Sequence, residues 1–206
     1  MKSFVWVTFL SLVSLAGAAE TSALRWGTGL LRQKPAWYAS AEARAAADNV
    51  LRYQSSQGAW PKNTDLLAPV TPAVLAEIQS AGKANTIDNG ATTLPIRFLM
   101  AVAGATGNGA YRDAAQRGID YVLASQYPNG GFPQFYPLRD GYYSRITFND
   151  GAMIGALELL RDIAEAREPF ASVEATRRAR AADGLKRGLD CILRTQIKQD
   201  GRLTAW

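Results

Sequence analysis

Gln126–Gln134, which reads QYPNGGFPQ, has an earlier counterpart in Gln54–Asn63, which reads QSSQGAWPKN. In both stretches a glycine follows the glutamine by four residues, an aromatic residue by six and a proline by seven. Gln196 begins a third, similar turn that runs to Gly201. The glutamines thus recur about every 70 residues, and a fixed internal period constrains the architecture more strongly than any local pattern.

Helical patterns separate these Gly-rich turns. Apolar residues at helix spacing predict about six helices, and runs such as Phe132–Tyr136 contain too much proline for a central strand. The sequence therefore predicts an all-α fold of repeated helical hairpins, which can close into an α/α toroid or stack as an open solenoid. The period exceeds the ~34 to 47 residues of common solenoid repeats, which favours the toroid. The helices are expected at 41–55, 71–82, 94–102, 111–125, 154–163 and 177–195.

A second repeat consists of short polar side chains ahead of two of the helical runs. Thr86–Thr92 reads TIDNGAT and Arg145–Met153 reads RITFNDGAM, with the order of acid and amide exchanged between the copies. Two such starts would bring Asp88 and Asp150 to one end of a helical array. In the alternative interpretation, these acids and amides are only helix caps that satisfy backbone N–H groups.

Proline distinguishes the two copies. Pro95 is comfortable only in the first turn of a helix, so the upstream helix should begin at Thr92 or Thr93. The downstream copy has no such proline, and its helix is expected to begin at Asn149 or Asp150. The two acids would then be held differently.

The first residues have the composition of a secretory signal. Lys2 precedes the apolar run Phe4–Leu15, and Ala16–Ala18 is a small-residue cleavage site. We expect residues 1–18 to be a signal peptide, residues 19–40 an irregular N-terminal segment and residues 41–206 one toroid domain. No second long apolar run follows, so a secreted protein, extracellular or periplasmic and not bound to a membrane, is expected.

Composition excludes several kinds of chemistry. The 206 residues contain no histidine, which removes imidazole bases and Ser-His-Asp triads. Cys191, the single cysteine, lies on an apolar helical face and reads as an inert buried thiol. The net charge of +5 permits an acidic partner, but the basic run Arg177–Arg180 has no interleaved aromatic residues, so no nucleic acid is expected.

Four motifs together resemble the pectate lyases of polysaccharide lyase family 10. They read WPKN at 60–63, TIDNGAT at 86–92, GFPQ at 131–134 and ITFNDGAM at 146–153. The resemblance implies an α/α toroid whose mouth binds polygalacturonate and cleaves it by anti β-elimination. It also implies a calcium ion that bridges protein and substrate, and an arginine that removes the proton from C5 of the sugar. We expect a monomer.

The resemblance assigns roles to individual residues. Asp88 and Asp150 match the family's motif aspartates, which help to hold calcium and substrate. Calcium prefers several oxygen ligands, and two carboxylates and a uronate can share it. The remaining candidates are expected to bind substrate: Lys62, Asn63, Asn89, Asn149 and Arg145. Arg145 stands where the family often has histidine, and its other roles would be an ion pair or a clamp on a substrate carboxylate.

The catalytic residue is not assigned. The family's arginine base lies in a motif after the third turn, and no residue here matches it; Arg97, Arg139 and Arg145 lie outside that motif. We therefore expect a truncated toroid, incomplete at its C-terminus, inactive, marginally stable and exposing apolar surface where further helices would pack.

Two other functions remain open. A toroid glycoside hydrolase would use Asp88 and Asp150 as acid and base without calcium. A carbohydrate-binding module without catalysis would use Trp60, Phe132 and Tyr136 as stacking platforms, although aromatic residues at matched repeat positions are also expected in a core.

Overall fold

The computed structural model of the chain describes residues 24–204, and the predicted signal peptide lies outside them. Within this range six α-helices account for most of the regular structure, which confirms the all-α prediction. A minimal hairpin of two antiparallel strands, β1 (Lys198–Gln199) and β2 (Arg202–Leu203), forms the third Gly-rich turn. The helices are α1 (Ala41–Arg52), α2 (Pro72–Ser80), α3 (Thr93–Thr106), α4 (Gly109–Ser125), α5 (Ala152–Ala164) and α6 (Ala175–Arg194).

The helix boundaries follow from local side-chain chemistry. Thr71 caps α2, since its hydroxyl accepts the N–H of Val74 at 3.2 Å and Pro72 opens the helix. Asn108 caps α4 in the same way through the N–H of Ala110. Gly107, with a φ of 72°, ends α3 in the left-handed conformation and lets the chain reverse within two residues.

Helices α3 and α4 form one hairpin, and α5 and α6 form the next. The two hairpins lie side by side because α3 contacts α5 and α4 contacts α6, while α1 packs against α3 and α4. Their facing surfaces bury a continuous apolar core that includes Phe98, Met153 and Leu160. Cys191 is buried in this core, as predicted. The array has the repeated-hairpin architecture expected of an α/α toroid.

The same side-chain joint connects successive repeats. The Gln54 amide donates to the carbonyl of Gly58 in its own turn and to that of Ala114 in α4, and its oxygen accepts from Arg117. In the second copy, the Gln126 amide donates to the carbonyls of Gly130 and of Gly184 in α6, and its oxygen accepts from Arg187. The internal repeat is therefore real in three dimensions.

The N-terminal segment packs against the helices. Residues 24–40 contain two 3-10 helices, Thr28–Arg32 and Pro35–Ala39, which contact α3 and α1. Trp26 meets Phe98 of α3 edge-on, with ring centroids 6.0 Å apart, and Leu30 is buried. The segment thereby covers one side of α3.

An apolar surface is exposed on the last hairpin. Large apolar side chains in and next to α5, α6 and the strand hairpin are about half exposed. Phe148 and Ile154 belong to this surface, together with Leu189, Leu193, Ile197 and Leu203.

Within residues 24–204, no helix is long and apolar enough to span a bilayer.

Candidate functional site

Two matching turns stand side by side at the N-terminal ends of α3 and α5. Asp88–Gly90 and Asn149–Gly151 each form one 3-10 turn, and the two turns contact each other. The middle residues Asn89 and Asp150 have φ values of 50° and 52°, a left-handed conformation that asparagine and aspartate tolerate better than most residues. The predicted start of α5 at Asn149 or Asp150 is wrong, because both copies complete this turn first and α5 begins at Ala152.

The turn geometry gives the two acids different places. Asp88 occupies the first position of its turn, where the second copy has Asn149, and Asp150 occupies the second position, where the first copy has Asn89. The exchanged order of acid and amide thus becomes one buried and one exposed carboxylate. The prediction that the two acids are held differently is confirmed, but the reason is the position of each acid in its turn and not a different start of the two helices.

Asp88 is buried in a charged cluster. Its Oδ2 atom lies 2.6 Å from Lys62 Nζ and accepts a hydrogen bond of 2.6 Å from Gln134 Nε2, and the residue is 1% exposed. Its backbone N–H donates to Thr86 Oγ1. The other carboxylate oxygen, Oδ1, is buried without a hydrogen-bond partner among the described residues. Leaving a buried acceptor without a hydrogen bond is costly in free energy, which makes this oxygen a candidate ligand for a bound cation or a partner for a substrate group.

Asp150 faces solvent beside this cluster. Its Oδ2 atom accepts from Asn149 Nδ2 at 2.8 Å, and Asn149 Oδ1 accepts from the Thr147 hydroxyl at 2.6 Å. The Thr147–Asn149 bond orients the amide, which in turn orients the carboxylate. No group of three or more acidic, cysteine or histidine side chains within residues 24–204 is arranged to hold a metal ion.

The substrate candidates divide between two places. Asn63 and Asn89 lie together, since Asn89 Nδ2 donates to Asn63 Oδ1 at 3.2 Å. Lys62 joins them through Asp88. Arg145 is exposed in a separate surface pocket with Tyr127 and Asn129, so the structure does not bring it into contact with Asp150.

Two of the proposed stacking platforms are wrong. Trp60 and Phe132 are fully buried, and the Trp60 indole N–H donates to the carbonyl of Val50 inside the core. Tyr136 is half-buried and packs edge-on against Tyr121. The matched aromatic positions of the Gly-rich turns are therefore packing positions, because each turn lays its aromatic side chain against the helices.

Tyr142 and Tyr143 are aromatic residues that the sequence motifs did not reveal. Their rings lie 4.0 Å apart, Tyr142 is 67% exposed, and Tyr143 packs edge-on against Phe135. Lys62 Nζ lies over the Phe135 ring, 5.2 Å from its centroid. A hydrogen bond with Tyr143 raises the pKa of Tyr142, and the negative charges of Asp88 and Asp150 act in the same direction.

Gln134, the last residue of the GFPQ motif, is a further site residue to which the sequence analysis assigns no role. It is 4% exposed and links the second Gly-rich turn to Asp88 of the first polar turn. Its role could have been suspected from its position after Phe132-Pro133, but its partner lies 46 residues away and cannot be found by local reasoning.

The arginines near the motifs are engaged elsewhere. Arg97 lies 2.7 Å from Asp162, and Arg139 donates to the carbonyls of Gly82 and Ala84 while stacking on Phe135 at 3.8 Å. Both have structural partners, so neither is positioned to remove a proton from a substrate.

The chain is similar to known polysaccharide lyases. A family 10 polysaccharide lyase from Cellvibrio cellulosa, solved as an aspartate-to-alanine variant in complex with trigalacturonic acid, is 36% identical with a TM-score of 0.69, and the match covers 88% of this chain and 56% of that one. Another structure of a family 10 lyase from the same organism is 38% identical with a TM-score of 0.67, covering 82% of this chain and 52% of that one.

The chain therefore spans about half the length of these solved lyases. A search of curated proteins found no match. The family model described as pectic acid lyase matches residues 54–206, a range that contains both polar turns and both complete Gly-rich turns. Since this match covers most of the chain and both solved neighbours are family 10 lyases, the chain belongs to the pectic acid lyase family.

Proposed function

We propose that the paired turns bind polygalacturonate and form part of the active site of a pectate lyase, which cleaves its substrate by calcium-assisted anti β-elimination. The single observation that carries the proposal is the contact between the Asp88 and Asn149 turns, which gathers a buried ion pair, amide side chains and an exposed carboxylate at one end of two helices. A solved neighbour was obtained in complex with trigalacturonic acid, which supports an acidic sugar polymer as the ligand.

The residue types suit a uronate polymer. Asn63 and Asn89 present amide groups that can bind sugar hydroxyls, and Lys62 is a cation close to the surface, with one-fifth of its side chain exposed. The exposed Tyr142 ring adds an apolar face against which a sugar ring can pack. Together these groups offer both polar and stacking contacts.

Calcium fits this donor set only as an ion shared with substrate. The protein would contribute the exposed Asp150 carboxylate and Oδ1 of Asp88, which has no hydrogen-bond partner among residues 24–204, whereas calcium takes six to eight oxygen ligands. Lys62 already neutralises the other oxygen of Asp88, so Asp150 is the stronger protein ligand. Bound there, calcium would neutralise a substrate carboxylate and so favour loss of the neighbouring proton.

The polymer and the predicted signal peptide also lead us to propose that the protein acts outside the cytoplasm. The proton-abstracting residue is left unassigned, because Arg97 and Arg139 are held by structural partners. Binding of polygalacturonate without turnover is therefore the second candidate function. Glycoside hydrolysis is disfavoured, since Asp88 is ion-paired with Lys62 and is poorly suited to act as a general acid.

The test is the ultraviolet absorbance of the unsaturated product formed from polygalacturonate at alkaline pH, with calcium or with a chelator, together with retention on immobilised polygalacturonate. We expect calcium-dependent retention that is lost in Asp150→Asn and kept in Asp140→Asn, an exposed acid outside the site. A calcium-dependent rise in absorbance establishes the lyase. Retention without a rise identifies the binding function, and new reducing ends without absorbance identify a hydrolase. Absence of both retention and turnover would refute the proposal.

A further inference from the structure

A groove with a volume of about 570 Å³ lies against the Asn89 turn and is walled on its other side by the N-terminal segment. We call it the Arg25 groove. Arg25, Trp26 and Thr28 line it from the segment. Asn63 and Asp65 line it from the end of the first Gly-rich turn and just beyond, and Asn89 lines it from the Asp88 turn. The wall formed by the N-terminal segment lies outside residues 54–206, the range that the family model matches.

The segment wall is fixed in place by the core. The Trp26 ring meets Phe98 edge-on at an interplanar angle of 83°, and Phe98 is fully buried in α3. Arg25, the residue before this anchor, is exposed and forms no ion pair with any residue between 24 and 204. An anchored backbone that carries a guanidinium without an ion-pair partner in residues 24–204 into a groove is suited to bind an anion, because guanidinium binds carboxylate with two parallel hydrogen bonds.

The opposite wall belongs to the candidate site itself. Asn63 and Asn89, with φ values of 52° and 50°, turn towards each other and are joined by one hydrogen bond of 3.2 Å. This bond uses one amide N–H and one amide oxygen and leaves Asn63 Nδ2 and Asn89 Oδ1 for other partners. The groove therefore borders the Asp88 turn, because Asn89 belongs to that turn and also lines the groove.

Asp65 limits which anion can bind. Its Oδ1 atom accepts the N–H of Leu67 at 3.0 Å, and its carboxylate would repel a small, highly charged anion in the groove. A sugar acid is complementary to both walls, because its carboxylate can face Arg25 while its hydroxyls can donate to Asp65 and bind the asparagine amides.

We propose that the Arg25 groove is a further subsite for one uronic-acid unit of the polymer, with Arg25 as the group that recognises its carboxylate. The inference rests on the proposed function, and it extends the binding site into a segment that the family match does not include. Arg25 acts here in binding and not in proton transfer.

The experiment measures the affinity of a hexagalacturonate by calorimetry, for the wild-type chain and four variants, in calcium at fixed ionic strength. Arg25→Ala should weaken binding roughly five- to tenfold, as expected for the loss of a charge-assisted hydrogen bond at a partly exposed site. Arg25→Glu should weaken it further through repulsion. Arg32, an exposed arginine of the same segment that does not line the groove, provides the matched controls Arg32→Ala and Arg32→Glu.

Each outcome decides between the proposals. If the wild-type chain binds and the Arg25 variants stay within twofold of it, or lose no more than their Arg32 counterparts, the subsite is refuted and the proposed function stands. If the wild-type chain does not bind, the proposed function fails and the subsite fails with it. Thermal unfolding is the fold check, and equal Tm values are expected because Arg25 is exposed and has no ion-pair partner in residues 24–204.

Discussion

Replacing Lys62 by methionine would leave the buried Asp88 carboxylate without its cation. Removal of one partner from a buried ion pair typically costs about 3–5 kcal/mol, because the remaining charge stays desolvated. Here one-fifth of the Lys62 side chain is exposed and Gln134 continues to donate to Asp88, so water and one hydrogen bond offset part of this loss. We expect Lys62→Met to lower the free energy of unfolding by about 2–3 kcal/mol.

The assay is thermal and urea unfolding at neutral pH. For a chain of 206 residues this loss corresponds to a fall in Tm of roughly 5 to 10 °C. Asp88→Asn removes the charge that the lysine neutralises, so the double variant Lys62→Met/Asp88→Asn should recover about 1–2 kcal/mol relative to Lys62→Met alone.

Lys83→Met is the matched control. Lys83 lies 2.7 Å from Glu77, nearly the same distance as in the Lys62 pair, but the Glu77 side chain is largely exposed. Exposed pairs contribute little, so Tm should hardly change. Equal effects of the two lysine substitutions, or a double variant that is less stable than Lys62→Met, would refute the argument that desolvation of Asp88 dominates.

Three further predictions concern the turns, the aromatic pair and pH. Gly58→Ala should lower the free energy of unfolding by about 1–3 kcal/mol more than Gly141→Ala does. The two glycines have similar φ values of 94° and 91°, but only at Gly58 would a new Cβ lie 2.6 Å from the Arg117 carbonyl oxygen. Equal midpoints of urea unfolding for the two variants would contradict this reasoning. Tyr142→Ala should weaken retention on polygalacturonate while Tyr142→Phe and Leu138→Ala retain it, and loss in Tyr142→Phe would show that the hydroxyl matters more than the ring. Burial raises the pKa of Asp162, but the bonds to Arg97 and Arg161 outweigh burial and lower the pKa below its usual value. The stability that these bonds supply is therefore present at neutral pH and is lost progressively as the pH falls below about 4. Asp162→Asn should cost less stability at acidic pH than at pH 7, and a cost independent of pH would contradict the ion-pair explanation.

Local chemistry carried the fold prediction. The Thr71-Pro72 start of α2 needs only neighbouring residues, and it was predicted correctly. The period between Gln54 and Gln126 was equally visible, because each copy places the same residue types in the same turn. These features are encoded within ten residues of each other or by simple repetition.

The errors arose where distant partners decide the geometry. The sequence could show that Asp88 and Asp150 belong to related turns, but burial of the first depends on Lys62 and Gln134, which are 26 and 46 residues away. The start of α5 was misplaced because the turn Asn149–Gly151 uses a left-handed residue that an apolar pattern does not report. The residue type of Trp60 suggests a stacking platform, but its burial in the core depends on surroundings that the sequence does not show.

The glutamine joint between repeats has a direction. Gln54 contributes the amide, and α4 contributes Arg117 and the Ala114 carbonyl. Gln126 contacts Arg187 and the Gly184 carbonyl of α6 in the same order along the chain. Head-to-tail contacts of this kind can be repeated without limit, because each unit that binds one neighbour also has a free surface for the next. Duplication of one unit in a gene would thus copy both the glutamine and the helix residues that contact it. The number of units in a closed ring would then depend on the angle between successive units and not on the hydrogen bonds that join them.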